Sequence, residues 1–134
     1  MSFKGSCLCG AVAYEIDGLD SPTRHCHCIS CRKAQGAAFN SSARVARGRF
    51  RWLSGEDKLV SYESSPGKFR RFCSICGSPI VAEYPDRAYV SLRVATLDDD
   101  PGARPESHLW MSHAAPWLAS SDTVACYDES HPDH

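Results

Sequence analysis

No stretch of this chain approaches the run of about twenty apolar residues needed to span a bilayer. Its first residues, Met1-Ser2-Phe3-Lys4-Gly5, lack the apolar segment of a secretory leader. The expectation is therefore a cytoplasmic protein with no membrane partner. Low-complexity linkers are missing, and the only internal repetition is in paired cysteines, so 134 residues read as one domain. A long basic tail is missing too, and the net charge is only -1, which argues against nucleic acid as the main partner. Without export there is no oxidising compartment in which the eight cysteines would pair as disulfides. Metal is the better account of them.

Three cysteines crowd the stretch Arg24-His25-Cys26-His27-Cys28-Ile29-Ser30-Cys31-Arg32-Lys33, spaced C-x-C-x-x-C. On an extended segment Cys26 and Cys28 share a face and His27 points away. A turn after Cys28 can bring Cys31 back to the same point. Three protein ligands with an open position build catalytic zinc sites, whereas structural sites close with four. The alternative is a distant fourth ligand. His108 or His113 could supply one, although an ordinary surface or hydrogen-bonded histidine is the simpler role for each.

The other cysteines come in pairs. Cys7-Leu8-Cys9-Gly10 repeats the same-face spacing, and Cys73-Ser74-Ile75-Cys76-Gly77 reads as a zinc-knuckle turn. A redox role for the C-x-x-C pair would need a βαβ context, which this chain does not offer. Joining the two pairs makes one closed four-thiolate site and leaves Cys26, Cys28 and Cys31 apart. The competing division borrows Cys73 or Cys76 for the trio and breaks a pair. Closing the loop from Cys9 to Cys73 costs about 4 kcal/mol in chain entropy. A structural zinc contributes on the order of 10–16 kcal/mol, enough to offset that. Cys126 falls at no ligand spacing and joins neither site.

Elsewhere the pattern is mainly β. Val12, Tyr14 and Ile16 alternate, as do Phe50 and Trp52, and Val60 and Tyr62. Phe69 to Cys73, Pro79 to Tyr84, Ala88 to Val94 and Ser107 to Met111 read as further short strands, with turns at Ser54 to Asp57, Ser64 to Gly67 and Pro85-Asp86. A helix of two turns at most is expected over residues 29 to 35, stopped by Gly36. Its N-terminus would lie beside the trio and favour anionic sulfur. Trp110 and Trp117 are expected in the core or a cleft wall.

Charge is unevenly spread. From Arg24 to Arg71 there are eleven Lys and Arg against three acids, and the excess of acid lies elsewhere. The basic stretch is either a solvated surface or a face for an anionic ligand, with Arg32 and Lys33 the candidates nearest the trio.

Taken together, Cys7-Leu8-Cys9-Gly10, His25 to Lys33, Phe72 to Pro79, Ala95-Thr96-Leu97-Asp98-Asp99 and Ala115-Pro116-Trp117 resemble the glutathione-dependent formaldehyde-activating enzyme and centromere protein V family. The resemblance covers about residues 3 to 118. It implies a β-tent fold of several short antiparallel sheets, a zinc-binding domain over 1–119, and a C-terminal tail over 120–134. It implies a structural zinc on Cys7, Cys9, Cys73 and Cys76, and a second, functional zinc on Cys26, Cys28 and Cys31, the trio being catalytic. The implied activity is that of a carbon–sulfur lyase, S-(hydroxymethyl)glutathione synthase-like. A zinc-bound small thiol such as glutathione would add to an aldehyde such as formaldehyde, or the reverse. The alternative is a non-enzymatic zinc module, contacting protein or nucleic acid through the basic stretch Arg44 to Trp52.

Overall fold

The structure is a computed structural model that describes residues 1–118 and 125–130. Most of the expected tail from 120 onward therefore lies outside the described residues. Within them the chain is mainly β, with one short α-helix. Among the described residues no helix is long and apolar enough to cross a membrane.

Two sheets form. The smaller has the order β1 (Phe3–Ser6), β2 (Ala13–Ile16), β5 (Phe50–Ser54), all antiparallel. The larger contains β3 (Thr23–Cys26), β4 (Asn40–Ala46), β6 (Leu59–Ser65), β7 (Lys68–Cys73), β8 (Pro79–Glu83), β9 (Tyr89–Arg93) and β10 (Pro105–Leu109). Its order is β10-β3-β4-β9-β8-β7-β6. The β6–β7 hairpin turns at Pro66-Gly67, where the sequence places a turn. The last strand differs from expectation in two ways. It lies two residues earlier at both ends, and it runs parallel to β3, the one parallel pair among the described strands of this sheet.

Alternation explains the core. Tyr14 and Ile16 point inward from β2, Val45 from β4, Val90 and Leu92 from β9, and all are buried. Ile80, Val81 and Ala82 are buried in succession, so β8 is covered on both faces. Tyr14 stacks on Phe50 at 5.1 Å, and its hydroxyl meets Thr96 Oγ1 at 2.7 Å. The acidic loop after Thr96 is used for tying down β1: Asp99 accepts from the Lys4 N–H, and Asp98 from the Ser6 hydroxyl, both at 2.8 Å.

The helix α1 spans Ile29–Gln35, where the sequence puts it. Cys28 caps its start, accepting the Cys31 N–H, and Gly36 ends it in the left-handed region at φ 59°.

Gly5 is where backbone approach decides the packing. A Cβ there would overlap the Tyr14 ring and sit 2.7 Å from the Thr96 carbonyl oxygen. Gly5→Ala is expected to lower unfolding free energy by about 2 kcal/mol, the usual cost of forcing extra volume into a packed site. Gly48→Ala, with open space around it, should stay within about 0.5 kcal/mol of wild type. Urea denaturation of the two variants checks both values.

Candidate functional site

The four paired cysteines meet. Cys7 stands just after β1, Leu8 and Cys9 form a turn, Cys73 ends β7, and Cys76 follows in the next turn. Cys7 and Cys9 thus converge through a turn, not along an extended segment. Their sulfurs, with those of Cys73 and Cys76, lie within 4.8 Å of one another. The Sγ–Sγ distance is 3.6 Å for Cys7 to Cys9 and 3.8 Å for Cys9 to Cys73. Tetrahedral zinc with 2.3 Å bonds to sulfur requires sulfurs about 3.8 Å apart, so the donor set fits that ion. Main-chain N–H groups point at the sulfurs, from Val12 to Cys7 at 3.3 Å and from Ile75 to Cys73 at 3.4 Å, which suits negative sulfur. The Ser78 hydroxyl, 3.3 Å from Cys76 Sγ, heads the contacts that bring this thiol down to about 5.

The trio also converges, with sulfurs within 4.8 Å of one another. Cys26 is the last residue of β3, Cys28 the cap of α1, and Cys31 lies in its first turn. His27 points the other way and is buried, with Nε2 2.8 Å from His108 Nδ1. His108 is thus engaged behind the strand, among His25, His27 and Phe39. His113 lies against Trp110 at 5.1 Å between ring centroids. Among the described residues no further His, Cys, Asp or Glu joins the trio. Three thiolates without a fourth protein donor fit a zinc ion that keeps a position for a ligand.

Two buried arginines stand beside the sulfurs. Arg70 Nη2 donates to Cys31 Sγ at 3.7 Å, and Asn40 Nδ2 lies 4.0 Å from the same atom. Burial alone would raise the Cys31 thiol, but the Arg70 guanidinium, followed by the Cys28 thiol, brings it down to about 7. Burial pushes Cys26 up to about 12, opposed by the Cys28 N–H and reinforced by charge on Cys31. Arg93 is 4% exposed, and burial lowers its guanidinium to about 10. Its Nη1 donates to Ser91 Oγ at 3.1 Å.

Cys26 and Cys31 open into a pocket of about 320 Å³. Its floor follows from strand periodicity. Arg24 and Cys26 on β3, Asn40, Ser42 and Arg44 on β4, and Tyr89, Ser91 and Arg93 on β9 all face it. The register puts Arg24 opposite Ser42 and Ser42 opposite Arg93. Lys68, Tyr84, Arg87 and Trp110 complete the walls. Trp110 holds φ at 59°, an uncommon conformation for a bulky residue.

Several sequence expectations are corrected here. Arg32 and Lys33 do not line the pocket: they extend along α1, and Lys33 is exposed. Trp117 is 69% exposed, neither core nor cleft wall, while Trp110 is a wall residue. Arg87 and Arg93, which lie outside the basic stretch, were not singled out by charge counting. The readable signal for Arg93 was its place two and four residues beyond Ser91 and Tyr89 on an alternating strand.

The family model described as "Glutathione-dependent formaldehyde-activating enzyme" matches residues 2–113. A Halomonas elongata protein, named provisionally as a glutathione-dependent formaldehyde-activating enzyme, is 26% identical over 146 residues. That alignment covers 99% of this chain and 90% of the relative. A solved Rhodobacter sphaeroides protein superposes with a TM-score of 0.62 at 27% identity, covering 76% of this chain and 97% of that one.

The two clusters should respond differently to substitution. Cys73→Ser is expected to remove a ligand that ties β7 to the chain start and to lower the melting temperature by 10 °C or more, roughly the effect of several kcal/mol in a domain this size. Cys28→Ser should cost much less stability and still lower zinc content toward one ion per chain. Thermal melts with elemental analysis on the same samples test this. Equal destabilisation by both would contradict the division into two sites.

Proposed function

The chain belongs to the glutathione-dependent formaldehyde-activating enzyme family, and on that premise we propose that it is a zinc-dependent carbon–sulfur lyase. It joins a small thiol, glutathione or a close analogue, to an aldehyde such as formaldehyde, or runs the reverse. The observation that carries this reading is the opening of Cys26 and Cys31, without a fourth protein donor among the described residues, into a pocket rich in cations. Residues 1–119 form the zinc-binding domain on this reading, and 120–134 a tail. The family match over 2–113 supports the first part.

Cys7, Cys9, Cys73 and Cys76 would hold a structural zinc, and Cys26, Cys28 and Cys31 a functional one. Zinc held by three thiolates is a weak Lewis acid, better suited to keep an added thiol as thiolate than to polarise a carbonyl strongly. The reaction is an addition: the thiol sulfur bonds to the carbonyl carbon, and the thiol proton is balanced by one gained at the carbonyl oxygen. No oxidant is required. Within the chain, Arg70 draws the Cys31 thiol down to about 7 through Nη2, and the Cys31 N–H steadies Cys28 Sγ at 3.3 Å. Ser91 fixes the Arg93 guanidinium at the pocket floor. Orienting both reactants in one pocket would supply much of the acceleration.

The alternative of a nucleic-acid module receives little support from the basic stretch, where three of the four arginines are paired within the molecule. Arg47 pairs with Glu83 at 2.7 Å, Arg49 with Asp20, and Arg51 with Asp17 at 2.7 Å. Those charges are answered within the molecule. Thiol chemistry at several cysteines, with no disulfide among the described ones, suits the cytoplasm.

With cobalt in place of zinc, glutathione should change the thiolate charge-transfer band. Exchange between free and glutathione-bound formaldehyde should run at least tenfold faster with wild type than with Cys28→Ser, a loss typical of removing an essential ligand. An unchanged spectrum together with equal exchange rates would favour the non-enzymatic zinc module.

A further inference from the structure

Nine of the eleven arginines sort into two groups, and Arg32 on α1 and Arg70 beside Cys31 fall in neither. Away from the pocket, Arg47, Arg49, Arg51, Arg71 and Arg104 each pair with a carboxylate. Around the pocket, Arg24, Arg44, Arg87, Arg93 and also Lys68 have no carboxylate partner among the described residues. Among the described residues no Asp or Glu lines the pocket. The cations run from floor to rim: Arg93 is buried, Lys68 and Arg24 are half-buried, and Arg44 and Arg87 are exposed. The rim pair is held in place by aromatic rings. Arg44 lies 4.5 Å over Tyr89, and Arg87 lies 4.1 Å over Tyr84 while donating to the Tyr89 hydroxyl at 2.8 Å. Arg93 Nη2 is buried without a hydrogen-bond partner among the described residues. Burial and the like charge of Arg70 lower both Arg93 and Lys68.

Five cations gathered without an acid repel one another until anions arrive. The trio meets the pocket at one end only, through the sulfurs of Cys26 and Cys31. Glutathione brings two carboxylates but also an ammonium, and that ammonium would find no carboxylate on these walls. We propose that this pocket selects thiols carrying two or more negative charges, as carboxylate or phosphate, and no ammonium group, in preference to glutathione itself. The proposal rests on the reading of the trio as a thiol site and names the substrate class of that site. The sulfur meets the trio, and the anions reach outward to Lys68, Arg24 and the rim pair Arg44 and Arg87.

The test titrates cobalt-substituted protein with four thiols at one pH and one salt concentration, reading the charge-transfer band. Mercaptosuccinate carries two carboxylates, 2-mercaptoethyl phosphate a phosphate, glutathione an ammonium as well, and 2-mercaptoethanol no charge beyond its sulfur. At least one of the first two should bind about tenfold or more tightly than glutathione, the worth of one charged hydrogen bond. The tighter of them assigns the anion as carboxylate or phosphate. In the rim variant Arg44→Gln/Arg87→Gln, the preference for that thiol over 2-mercaptoethanol should fall at least tenfold, by the same measure. Its binding to wild type should weaken with added salt. If glutathione binds as tightly as both polyanions, or if the rim variant keeps the preference, this proposal is overturned while thiol binding at the trio stands. If no thiol changes the band, both readings fall.

Discussion

Two guanidinium groups, those of Arg70 and Arg93, are buried with no carboxylate beside them among the described residues. Burying an unpaired cation costs several kcal/mol. In this fold the opposing charge comes from sulfur: Arg70 donates to Cys31, and negative charge on Cys31 draws the Arg93 guanidinium back toward its protonated state. The sulfur trio and the arginines therefore require each other. Removing either leaves the other as uncompensated charge under β4, β7 and β9. This mutual dependence also explains the polarity of the adjoining pocket, whose cations are anchored by aromatic rings and serine oxygens, leaving their charge available to a ligand.

The four-cysteine cluster plays a different part. It joins the turn after β1 to the end of β7, so it links an edge of the small sheet to the large one. Both Cys7 and Cys73 are buried within the apolar cluster of Val12, Tyr14, Ile16 and Ile80. The four-cysteine cluster and the core are thus one packing unit. The trio sits elsewhere, at the junction of β3 and α1, where one face is a pocket and the opposite face is the His27–His108 contact. The four-cysteine cluster is rooted in the core through Cys7 and Cys73 and the trio opens on a pocket, a difference that suits the structural and functional roles proposed for them.

Much of this was legible in the chain. The helix from Ile29 to Gln35 was readable because its stop is a glycine and its start a run of turn-forming spacing, both local signals. The cysteine pairs were legible because ligand spacing is local as well. What the sequence hid was lateral. Nothing in Pro105 to Leu109 announces a parallel partner, since the register comes from β3, some eighty residues earlier. Counting charge along the chain favoured Arg32 and Lys33, neighbours of the trio in sequence. The pocket is instead built across strands, so Arg93 reaches the site through Ser42 and Arg24 in adjacent β4 and β3. The chemistry of Trp117 points to core or cleft, and its side chain is exposed.

The central claim is that the trio keeps a place for a thiol sulfur while the four-cysteine site does not. X-ray absorption at the zinc edge counts sulfurs per metal directly. With both centres filled and no thiol added, the mean should be about 3.5 sulfurs per zinc at about 2.3 Å, with a lighter atom completing the trio's shell. Adding a bound thiol should raise the mean to about 4. A mean already at 4 without thiol, or one that does not move when thiol is added, would contradict the open site.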